Sequence, residues 1–108
     1  SRPATTFVAS FMGSPPMNLL SHAPGSKADS ILGIRPEHLD IGQTGWELQV
    51  ETVELLGAER LVHTRLGDEK LIIRTHEDQG APAVGSTIHA LPREERLHWF
   101  DAATGQRR

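Results

Sequence analysis

RLVHTRLGDEKLIIRT, residues 60–75, divides at Gly67-Asp68 into two segments of strand-like composition. Arg60 to Leu66 and Lys70 to Thr75 pair naturally across that dipeptide, because glycine takes the positive φ that a tight hairpin turn demands. Upstream, the periodicity is again two. Trp46, Leu48 and Val50 alternate with Glu47, Gln49 and Glu51, which puts an apolar set on one face of a strand. The next inward pair, Val53 and Leu55, sits on the opposite parity. A bulge near Thr52 reconciles the two sets and bends the strand as a small closed barrel requires. Gly57-Ala58 ends that strand.

Working outward, His76 to Gly85 holds Pro82 and two glycines and reads as a loop before a strand at Ser86 to Leu91. Leu97 to Phe100 is a short aromatic strand, closed by a turn at Asp101 and Gly105. Toward the N-terminus, Ile31 to Ile34 is an apolar strand, and Pro36 opens a single turn through Glu37, His38 and Leu39. Ser21 to Ser30 reads as a loop and as the least ordered stretch, preceded by an extended exit at Met17 to Leu20. Pro3 suits the first turn of a short helix that sets Phe7, Val8, Phe11 and Met12 on one face, and Gly13 with Ser14-Pro15-Pro16 stops it. The expected chain is mainly β, a small barrel of about five to seven short strands. A connector helix occupies 1–16 and the β domain 17–108.

At 108 residues, the chain has room for one core and not for a nucleotidase as well. No apolar run approaches the ~20 residues of a membrane-spanning helix. With 11 Lys and Arg against 14 Asp and Glu, the net charge of -3 gives no long-range pull on nucleic acid or an anionic leaflet, and Arg107-Arg108 are too few to change that. The absence of cysteine removes disulfides, thiolate zinc sites and thiol nucleophiles, and suits a cytoplasmic setting. Ser1 is no natural initiator, so the start reads as cut from a longer chain.

A phosphate-cradling loop needs glycines followed by Lys and Ser or Thr at fixed spacing, so that backbone N–H groups and the lysine converge on one phosphate. Lys27 and Lys70 are the only lysines, and neither stands in such a setting. No two of the six histidines have the spacing of a helix-borne metal pair, though His63 with His89 could meet on adjacent strands. Glu37 with Asp40 and Glu54 with Glu59 are carboxylate pairs, which solvated rim charge explains as well as acid-base work. Trp46, Trp99 and Phe100 could stack single-stranded nucleic acid, but the acidic balance favours core or interface roles. No serine lies in a Gly-x-Ser-x-Gly turn.

Four runs in combination resemble the TOBE domain, the OB/MOP-like barrel at the C-terminal end of the ATP-binding subunits of carbohydrate-type ABC importers. They are PATTFVASFMGSPPMNLL at 3–20, LGIRPEHL at 32–39, VELLGAERLVHTRLGDEKLIIR at 53–74 and LHWFDAATGQR at 97–107. The last two look most like the branch that imports glycerol 3-phosphate. That family carries a further strand-bearing stretch between its MNLL-like and GIRPEH-like runs, and here only Ser21 to Ser30 and the lead-in to Leu32 remain.

The resemblance implies a regulatory and dimer-forming module that does not itself hydrolyse ATP. ATP and Mg belong to an upstream nucleotide-binding domain. The implied partners are a second copy of the subunit, that nucleotide-binding domain, the transporter's membrane subunits and a regulatory protein, with no nucleic acid, all on the cytoplasmic face of the membrane. The candidate contact residues are Arg35, Pro36, Glu37 and His38 in the turn, and Phe7, Val8, Phe11 and Met12 on the helix face. The turn also reads as purely structural, with Arg35 and Glu37 in salt bridges. The alternatives are an oxyanion-binding barrel of the molybdate type and a single-stranded nucleic-acid binder.

Overall fold

A computed structural model describes residues 16–108. The expected connector helix and its Phe7, Val8, Phe11 and Met12 face lie outside the described residues. Within them, eight strands run in order: β1 Asn18–Leu20, β2 Ser30–Ile34, β3 Leu39–Gly42, β4 Trp46–Leu56, β5 Glu59–Leu66, β6 Glu69–His76, β7 Thr87–Pro92 and β8 His98–Asp101. The fold is mainly β, as expected, with short 3-10 turns at Pro36–His38, Glu77–Gln79 and Glu94–Arg96. The strand count exceeds the expected range because Asn18–Leu20 and Leu39–Gly42, read as an exit and the end of a turn, both find partners.

The strands form two antiparallel sheets, one ordered β1-β2-β8 and the other β3-β7-β4-β5-β6. The β5–β6 hairpin has the expected register, with Leu66 opposite Glu69 across Gly67-Asp68. Gly67 takes φ 61, and Gly57 takes φ 59 in the β4–β5 turn. Only the first position of each turn is left-handed, the pattern in which glycine is preferred at that place. The bulge also stands where parity demands it: the β4–β5 register shifts between Val50 and Thr52. There Val50 bonds to the chain leading into β7, its N–H donating to Ser86 O at 2.9 Å and its carbonyl accepting from Gly85 N–H at 2.7 Å.

The core is drawn from both sheets. Leu20, Leu32 and Ile34 come from the smaller one, and Leu48, Val50, Val62, Leu71, Ile73 and Ala90 from the larger. Thr64 is the most deeply buried of the polar residues, and its hydroxyl donates to Leu71 O at 2.8 Å, so its own burial leaves no donor unpaired. Leu55 departs from the sequence reading. It is 71% exposed, because β4 has run past the edge of the core by the time it reaches its turn.

The barrel is not closed by a backbone ladder. β1 packs against β6, and one side chain joins them: the Asn18 amide donates to Ile72 O and accepts from Ile72 N–H, both at 2.8 Å. A carboxylate continues the seam, since Glu69 accepts the N–H groups of Ser21 and His22 at 2.8 and 2.7 Å. The Ser21–Ser30 connection, expected to be the least ordered stretch, is thus tied to β6 at its start and buries Ala23.

Candidate functional site

The Arg35–His38 turn begins as proline dictates. Arg35 is extended, at φ -75 and ψ 148, because the residue before a proline is kept out of the helical region. Pro36 then starts the 3-10 turn and is fully buried. His38 N–H donates to Arg35 O at 2.9 Å, and His38 O accepts from Arg93 N–H at 2.9 Å. Neither Arg35 nor Glu37 has an ion-pair partner among the described residues. The salt-bridge reading of this turn is therefore corrected: Pro36 burial and two backbone bonds hold it. Arg35 is left exposed, Glu37 and His38 are half-buried, and the buried Nδ1 of His38 has no hydrogen-bond partner among the described residues.

An ion pair sits beside the turn. Arg93 donates through Nε and Nη2 to the two Asp40 carboxylate oxygens, each at 3.0 Å, tying β3 to the chain after β7. The hydrogen bond from Arg93 holds the Asp40 carboxyl below its ordinary 3.8, against the smaller opposing effect of partial burial. A carboxylate with a depressed folded-state pKa adds stability above its unfolded pKa and loses it as pH falls through the folded one. Wild type is expected to exceed Asp40→Asn in stability by a small margin at neutral pH, as an exposed pair allows. In urea melts across acid pH, that margin should close below the ordinary carboxylate range. A margin that persists in strong acid would show that Asp40 acts other than as an anion.

Other groupings that the sequence left open come apart. β4 lies between β5 and β7, so His63 and His89 are not on adjacent strands. No cluster of metal-ligating side chains occurs among the described residues. The carboxylates of the two suspected acid-base pairs are largely taken by basic side chains: Asp40 by Arg93, Glu54 by His63 at 2.9 Å and Glu59 by Arg74 at 3.3 Å. Trp46 and Trp99 pack against the core and Phe100 is buried, so these rings form no open stacking platform.

One grouping was not expected. The pKa of His98 on β8 is pushed down first by burial and then by the nearby basic groups Arg107, Arg35, His38 and Arg96, in that order. Arg107 Nη1 lies 3.1 Å from His98 Nδ1, the geometry of a guanidinium donating to a neutral ring. The sequence signal was the terminal Arg107-Arg108 pair, set aside as too few charges to alter a net charge of -3.

Comparison with known proteins completes the picture. The family profile of the TOBE domain matches residues 32–100. The chain belongs to the TOBE domain family. Its similarity extends to sn-glycerol-3-phosphate import ATP-binding proteins named UgpC: 42% identity to that of Salmonella typhi, 39% to that of Bordetella pertussis and 37% to that of Shigella sonnei. Each match covers 98% of this TOBE chain and 37% of the relative, so the chain spans little more than a third of the length of these curated relatives. The Salmonella typhi match extends over 132 positions against 108 residues here, so at least 24 positions of that relative have no counterpart. Among the described residues, no helix is long and apolar enough to cross a membrane.

Proposed function

We propose that this TOBE domain is the regulatory and dimer-forming part of the ATP-binding subunit of an ABC importer for sn-glycerol 3-phosphate or a related compound. The observation that carries the reading is similarity over 98% of the chain to import ATP-binding proteins of that name. ATP and Mg are bound in a nucleotide-binding domain of the parent, a division supported by the lack of any phosphate-loop sequence here. The Arg35–His38 turn serves as a contact point with a neighbouring domain, its backbone fixed by Pro36 while Arg35 stays exposed. The helix face of Phe7, Val8, Phe11 and Met12 packs on the nucleotide-binding domain or on the second subunit. Other contacts are with the membrane subunits on the cytoplasmic side and with a regulatory protein. Such a protein can bias transport only through different affinities for the resting and closed forms, a tenfold bias needing about 1.4 kcal/mol.

The test is a domain exchange. The matching segment of the Salmonella UgpC protein is replaced by this chain, and uptake of labelled glycerol phosphate is followed in cells lacking their own subunit. The hybrid is expected to restore uptake and to purify as a dimer by light scattering. A folded hybrid that hydrolyses ATP yet stays monomeric and does not support uptake would sink the proposal.

A further inference from the structure

β4 outruns one of its two neighbours. Its pairing with β7 ends at Gln49 opposite Thr87, and the last bonds on that side join Val50 to Gly85 and Ser86. Its pairing with β5 continues as far as Leu56. Leu56 and Glu59 flank the Gly57-Ala58 turn as a hydrogen-bonded pair, so by the alternation of an antiparallel ladder the N–H and C=O groups of Val53 and Leu55 point away from β5. Beyond Val50, no chain pairs with that side of β4 among the described residues.

Sheet edges are commonly blunted by lysine, by proline or by keeping the strand short. β6 is sealed at Ile72 by Asn18, and β3 is four residues long. Residues 52–56 hold neither lysine nor proline, and the bulge lies upstream of them. Apolar side chains stand open along this edge: Leu55 is 71% exposed, Leu56 is exposed as well, and Val84 is 65% exposed next to the Gly85 at which the ladder stops.

The two faces of the edge differ in chemistry. Val53 and Leu55 make the inner face apolar, with Val53 packed on the core. On the outer face, Glu51 is matched by Arg65 at 3.0 Å, whereas Glu54 has only His63, at 2.9 Å. With histidine counted as neutral, a negative charge beside the edge is left uncompensated.

We propose that the open edge of β4 at residues 52–56 receives an extended segment of a partner protein in which apolar and basic side chains alternate. The added strand bonds to the N–H and C=O groups of Val53 and Leu55, continuing the line of β7. Because side chains alternate between faces, its apolar residues lie beside Val53 and Leu55 while a lysine or arginine reaches Glu54. The importer reading leaves this surface unassigned, and the proposal does not depend on that reading.

The experiment is NMR titration of this chain with a short peptide of alternating lysine and valine, followed by hydrogen exchange of the amides. Saturable shifts along residues 52–56 are expected, with exchange at the Val53 and Leu55 amides slowed about tenfold or more at saturation. The same peptide N-methylated on its valines lacks the donors for those two carbonyls and should bind about tenfold more weakly. Glu54→Lys should turn away the lysine peptide and accept a glutamate and valine one instead, a reversal that loss of folding would not give. Leu55→Lys should weaken binding, while Leu91→Lys, at an exposed position on β7, should leave it unchanged. Equal binding of the N-methylated peptide, unaltered exchange at Val53 and Leu55, or no reversal in Glu54→Lys would overturn the proposal. So would line broadening along the same edge that grows with chain concentration and is displaced by the peptide, since the occupant would then be a second copy.

Discussion

Asn18→Ala should lower the unfolding free energy by about 2 to 4 kcal/mol, because it leaves two backbone groups of β6 without partners. Asn18 is 7% exposed, and its amide does for Ile72 what a neighbouring strand would do, giving one N–H and taking another. Alanine removes both bonds and leaves the N–H and carbonyl of Ile72 without those partners. The loss should also be local before it is global. Native-state hydrogen exchange at the Ile72 amide is expected to accelerate strongly, while Leu61 and Val62 on β5, in the interior of the sheet, follow only the overall stability. A loss below about 0.5 kcal/mol, the size of an ordinary surface substitution, with Ile72 still protected would mean that the seam is held by other contacts.

This seam also marks the limit of what the sequence discloses. The β5–β6 hairpin was legible because its turn chemistry is local: Gly67 between two strand-like runs admits few structures. The bulge was legible for a similar reason, since the parity of apolar residues changes between Val50 and Val53 and a strand can absorb that only by gaining a residue. β1 and β3 were not, being three and four residues long and taking their identity from partners far along the chain. Asn18 reads as a polar residue in an exit segment until β6 is placed beside it. Leu55 matched the inward parity and is nevertheless exposed, because alternation reports which face a residue takes and not where the core stops.

The candidate surfaces divide in the same way. The rigidity of the Arg35–His38 turn follows from Pro36, a property of one residue, whereas its salt bridges depend on distant partners, and none forms among the described residues. The basic cluster is wholly a product of topology. Its members at 35, 38, 96, 98 and 107 meet only because β2 pairs with β8 and the chain doubles back along β8. A net charge of -3 described the whole chain and concealed this local imbalance.

Gly45→Ala should cost about 3 kcal/mol or more, several times the loss at a glycine needed only for its backbone angle. Gly45 leads into β4 at φ 126, which a side chain rarely tolerates. A Cβ there would meet the carbonyl of Ala90, 2.6 Å from its carbon, and the Cγ of Leu91 at 2.9 Å. The leucine can rotate, but Ala90 cannot withdraw. It is fully buried, pairs with Trp46 on one side and Ile41 on the other, and so joins β4 and β3 through β7. Moving it would disturb both ladders at once. Gly57 supplies the control, since at φ 59 it has nothing within 4 Å of the same Cβ position. Gly57→Ala should therefore cost only the left-handed backbone, about 1 kcal/mol. Urea denaturation of the two variants measures the difference directly. Equal losses would mean that Gly45 is required for its φ alone and that β7 can yield at Ala90.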